Sequence, residues 1–107
     1  MQSRLIIWEK LRYNIDVPLY IDGRLGGEIL EVFTIQPSQI ADIDFYKEFL
    51  FSDSEAAKLP CTARNIIYTG FAISAFIVSQ LAHWLRKETY YRRVNFDLRT
   101  MTSVFQE

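Results

Sequence analysis

Val17-Pro18-Leu19-Tyr20-Ile21-Asp22-Gly23-Arg24-Leu25-Gly26-Gly27-Glu28-Ile29-Leu30-Glu31-Val32-Phe33-Thr34-Ile35 is the stretch that decides the fold. Residues 17–22 read as a short buried strand, and Gly23 to Gly27 as a turn or loop. Glu28 to Ile35 read as a second strand, because β-branched and aromatic residues dominate it. Before this stretch, Leu5, Ile7, Trp8 and Leu11 fall near helical spacing, so residues 2–13 are expected to form a helix that Asn14-Ile15-Asp16 ends. After it, Gln36-Pro37-Ser38 closes the second strand.

Residues 39–60 are polar and acidic with scattered aromatics. A short helix is expected near 42–50 and a further helical turn at 53–58. The main helix is expected over about 63–88. Val94 to Leu98 reads as a strand, Arg99-Thr100-Met101 as a turn, and Thr102 to Phe105 as an edge strand. This order predicts an α/β domain, with a small mixed sheet covered by two helices. A helix and buried strand so early in the chain look like the middle of a longer series of alternating strands and helices.

The bulk composition narrows the function classes. The chain has 107 residues, half of them hydrophobic and 15% aromatic, which argues for one packed domain and against disorder. A net charge of −1 gives no electrostatic basis for binding nucleic acid. One cysteine and one histidine are too few for a structural zinc site, which needs four ligands. Residues 1–13 mix Arg4, Glu9, Lys10 and Arg12 with apolar residues, unlike a secretory leader, so a cytoplasmic location is expected. Ile66 to Leu85 carries no formal charge and has the length of a membrane span. Its Thr69, Ser74, Ser79, Gln80 and His83, and its small residues, instead favour a helix buried against protein. His83 is expected to be a partly exposed helix residue, and Arg86, Lys87, Arg92 and Arg93 a solvated basic cluster.

The single cysteine lies in Leu59-Pro60-Cys61-Thr62-Ala63-Arg64-Asn65. Thr62 is a good N-cap for a helix starting around Ala63. A thiol there would meet unpaired backbone N–H groups, the positive end of the helix dipole and the Arg64 guanidinium, all of which favour the thiolate. The alternative is that Cys61 is simply a small buried apolar residue.

Three motifs, in order, resemble the C-terminal half of the ThiF/MoeB and ubiquitin-activating adenylating domain. Val17 to Ile29 is similar to the family's strand, glycine loop and strand. Pro60-Cys61-Thr62-Ala63-Arg64-Asn65 resembles its active-site cysteine string. Val94-Asn95-Phe96-Asp97-Leu98-Arg99-Thr100-Met101-Thr102 resembles its closing strand pair, and the long helix matches the one preceding that pair. The resemblance implies a partial Rossmann-like domain, with residues 1–36 as helix and two strands, 37–62 as crossover loop, and 63–107 as long helix and closing pair.

The same resemblance implies ATP-dependent activation of the C-terminus of a ubiquitin-like or sulfur-carrier protein. Cys61 would attack the acyl-adenylate to form a thioester, tuned by Thr62 and Arg64, with Asp22 and Arg24 contacting the substrate tail or nucleotide. Asp22 and Arg24 (or Glu28) would otherwise form an ordinary salt bridge. The family's phosphate-binding glycine loop, catalytic arginine and lysine, and magnesium-positioning aspartate have no counterpart here. ATP and magnesium are therefore expected only in an assembly completed by a nucleotide-binding half, and a homo- or hetero-oligomer is expected. The rival expectation is a non-catalytic interaction module on the same fold. A single-pass membrane protein is a third.

Overall fold

A computed structural model of the chain describes residues 2–50 and 66–107. The described elements are α1 (Gln2–Leu11), β1 (Tyr20–Gly26), β2 (Ile29–Ile35), α2 (Ile40–Lys47), α3 (Ile67–Leu85), β3 (Arg93–Asp97) and β4 (Thr102–Gln106). The strands form one sheet in the order β1-β2-β3-β4. β3 runs antiparallel to both β2 and β4, with Val32 opposite Val94 and Val94 opposite Phe105. The α/β class holds, but the sheet is antiparallel, not mixed, and three helices are described.

The contacts divide the molecule into two units. In the first, described over residues 2–20 and 35–50, the core is aromatic. The rings of Trp8 and Tyr46 meet edge to face at 4.7 Å, and Tyr20 lies 5.9 Å from Trp8 and 5.8 Å from Tyr46. Trp8, Tyr46, Ile35 and Ile43 are buried. The Gln36 N–H donates to the buried Asp42 carboxylate at 2.7 Å, fixing the turn that enters α2. Asp42 also sits in the first helical turn, where a negative charge suits the dipole.

The second unit, described over residues 21–34 and 66–107, is a helix on a sheet. Leu30, Val32, Ile73 and Val94 form its buried core, with Ile21, Leu25, Phe76, Ile77 and Phe96 packed around them. β1 departs from expectation: the strand continues through Gly23-Arg24-Leu25-Gly26, and the connection shrinks to Gly27-Glu28. Gly23 is a packing residue, not a turn residue. A Cβ there would stand 2.9 Å from Ile77 Cδ1 and 3.2 Å from Ile73 Cδ1. Only Gly27 needs its conformational freedom, with φ at 59°.

Two polar side chains seat α3. The buried Thr69 hydroxyl donates to the Gly27 carbonyl at 2.8 Å, and the Tyr91 N–H donates to the buried Gln80 Oε1 at 2.9 Å. At the C-terminal end Lys87 adopts φ 60°, while the Lys87 and Glu88 N–H groups return to the Trp84 and His83 carbonyls. This left-handed cap ends the helix sharply. Among the described residues no helix is long and apolar enough to cross a membrane.

Candidate functional site

Alternation along β1 places Ile21, Gly23 and Leu25 toward α3 and Asp22 and Arg24 on the opposite face. The same period puts Glu31 and Phe33 of β2, and Arg93 and Asn95 of β3, on that opposite face, with Glu31 directly across from Asn95 and Phe33 from Arg93. Four charged residues and a buried ring therefore share one side of the sheet.

Asp22 and Arg24 meet there. Arg24 Nε donates to Asp22 Oδ2 at 2.9 Å, with the side chains only 11% and 5% exposed. The Arg24 guanidinium lies 4.7 Å from the centre of the buried Phe33 ring. Burial, an ion pair and a cation–π contact thus converge on one strand position. Of the two roles open to these residues, the ion pair is present.

Beside it stands a cluster that the sequence reading missed. Arg93 Nη2 approaches Glu31 Oε2 at 2.6 Å, and Arg93 Nε donates to the same oxygen at 2.8 Å. Asn95 Nδ2 donates to Glu31 Oε2 at 3.2 Å, and Arg93 Nη1 donates to Gln106 Oε1 at 3.0 Å. Its signal was Glu31 alternating between the apolar Leu30 and Val32, but the partner across the sheet depends on register.

The mouth of the β1–β2 connection is tied to α3 a second time. The exposed Tyr68 hydroxyl donates to Glu28 Oε1, and that bond holds the phenol above its usual pKa because the carboxylate stabilises the protonated form. The first turn of α3 is thereby fixed on the glycine connection through both Tyr68 and Thr69.

Cys61, Thr62 and Arg64, and the expected helical turn at 53–58, lie outside the described residues. The expected start of the long helix is corrected. α3 starts at Ile67, later than the expected start around Ala63, and its N-cap is Ile66, in extended backbone without a side-chain cap. His83 is half-buried in the last turn of α3. Among the described residues no group of three His, Cys, Asp or Glu could hold a metal ion. Comparison with family models, curated proteins and solved structures gives no match.

Proposed function

We propose that this chain is the C-terminal portion of a ThiF-type adenylating enzyme, one that activates the C-terminus of a ubiquitin-like or sulfur-carrier protein once a nucleotide-binding half completes it. The observation carrying this reading is the connectivity of the second unit. A strand pair with a glycine connection, a long helix and a closing strand pair follow one another in the order of the three motifs. The two pairs join through β2 and β3, and the helix lies across them. Tyr68 and Thr69 fix the start of α3 on the glycine connection.

In this reading Cys61 is the nucleophile. Its thiolate attacks the carbonyl carbon of the acyl-adenylate, AMP leaves, and a thioester forms. Thr62 and Arg64 tune the thiol. Asp22 and Arg24 shape the strand face that the substrate tail meets. ATP and magnesium would be held by the completing half.

A second reading draws on the Asp22–Arg24 pair. Because the two charges are already joined and largely buried, the same face also suits a non-catalytic module that binds a partner protein. ATP–pyrophosphate exchange separates the two. The chain alone is expected to show none. Exchange in a mixture with a nucleotide-binding half and a ubiquitin-like protein supports the enzyme, and no exchange in that mixture supports the module.

A further inference from the structure

α3 carries apolar residues on more than one face, yet its own sheet covers only one. Ile73 and Gln80 are buried, and Phe76 and Ile77 are packed in the core. Roughly 120° away, at 100° per residue, runs a second stripe of Ile67, Phe71, Ser74, Val78, Leu81 and Leu85. Its apolar members are 75%, 72%, 63%, 39% and 65% exposed, in chain order. An apolar helix face left open in this way marks an interaction surface.

We infer that this stripe pairs with the same stripe of a second copy of the chain, antiparallel and about a two-fold axis. Three observations select that occupant. The first is spacing: the intervals alternate four, three, four, three, four. This is the 3.5-residue repeat of a helix–helix seam, and it reads the same in both directions. Antiparallel pairing therefore sets Ile67 against Leu85, Phe71 against Leu81 and Ser74 against Val78.

The second is charge. No formal charge lies within α3, so nothing on the stripe opposes a copy of itself. Glu28 stands at the first turn, through Tyr68, while Arg86 and Lys87 follow the last and keep that end net positive although Glu88 lies 3.6 Å from Arg86. Antiparallel pairing brings the anionic end of one copy to the cationic end of the other, with helix dipoles opposed. Parallel pairing would set like charges together.

The third is local chemistry. The exposed Ser74 hydroxyl donates to the Gly70 carbonyl at 2.8 Å, so covering it strands no donor. Among the described residues nothing lies within 4 Å of where a Cβ on Gly70 would stand, so none of them requires glycine there. A helix glycine lowers stability, and close approach of a second helix gives it a reason. The five apolar side chains offer on the order of 600 Å² per copy, which brings a symmetric pair to the lower limit of stable interfaces.

The pairing goes beyond the proposed activity and needs neither a nucleotide-binding half nor a thioester. Sedimentation of the full chain over a concentration series tests it. A monomer–dimer equilibrium is expected, and Phe71→Glu should raise the dissociation constant at least about 30-fold, with an unchanged circular dichroism spectrum. Arg86→Glu with Lys87→Glu should also weaken the dimer, and adding Glu28→Lys should restore it. Gly70→Leu supplies a variant that favours the helix yet blocks close approach, and it should dissociate the dimer. A monomer at every concentration up to about 100 μM, or a dimer indifferent to both Phe71→Glu and Gly70→Leu, would overturn the pairing. A dimer indifferent to the charge reversal would overturn its antiparallel sense.

Discussion

Replacing Arg24 with methionine keeps the aliphatic stem and removes the guanidinium. The change leaves the Asp22 carboxylate, 5% exposed, without the Nε that donates to it at 2.9 Å, and it lifts the cation from the Phe33 ring. Removing one partner of a buried pair costs about 3–5 kcal/mol, because the remaining charge stays desolvated. The lower end applies here, since Arg24 keeps some solvent contact, so the expected loss is about 3 kcal/mol. Urea unfolding at fixed protein concentration, followed by circular dichroism and by Trp8 and Trp84 fluorescence, measures it. With a slope of about 1.5 kcal/mol per molar, the midpoint should fall by roughly 2 M. Asp22→Asn in the Arg24→Met background removes the buried charge and should recover part of the loss, giving a coupling of about 2 kcal/mol. A loss below about 1 kcal/mol for Arg24→Met is what an exposed pair gives, and it would refute a buried structural pair at this position.

Other substitutions probe the packing and caps directly. Thr34 is fully buried and its hydroxyl has no partner among the described residues, so Thr34→Val should stabilise by about 1 kcal/mol in the same urea assay. Lys87 holds φ 60° at the end of α3, so Lys87→Gly should raise stability by up to about 1 kcal/mol, visible as a higher melting temperature. Gly23→Val would drive a side chain into Ile73 and Ile77, costing about 1–3 kcal/mol, and Ile77→Ala in the same chain should recover part of it. Ultraviolet titration should find Tyr68 ionising above the ordinary tyrosine range, and Glu28→Gln should bring it back down. The folded-state pKa is the raised one, so this bond contributes fully below the unfolded tyrosine pKa and is lost as pH rises through the folded value.

The element order was legible because strong local signals mark it. β-branched runs announce β2 and β3, Pro37 ends β2, and an uncharged stretch announces α3. Boundaries moved where tertiary packing overrode a local rule. Gly23 and Gly26 read as a loop because glycine favours turns, but the alternation of Ile21, Gly23 and Leu25 with Asp22 and Arg24 was already a strand pattern. What glycine meant there depended on Ile73 and Ile77, about fifty residues away in sequence. The long helix was expected to start around Ala63 because helix starts are read from residue type, whereas α3 begins at Ile67 after an extended Ile66.

The candidate site was half legible. Asp22 and Arg24 stand two residues apart on one strand, so local geometry foretold their pairing. Glu31, Arg93, Asn95 and Gln106 come together only through the β2–β3 and β3–β4 registers, which no local pattern specifies. Thr69 and Gln80 were read as polar interruptions in an apolar run. Their hydrogen bonds to the Gly27 carbonyl and from the Tyr91 N–H make them the residues that seat the helix.

The proposed activity is tested most directly by looking for a covalent adduct on Cys61. The chain would be incubated with a nucleotide-binding half, a ubiquitin-like protein, ATP and magnesium, then separated on a gel without reducing agent. A thiol-sensitive band at the summed mass, absent without ATP and absent for Cys61→Ala, is the expected result. ATP–pyrophosphate exchange in that same mixture with no such band would contradict the role of Cys61 as nucleophile.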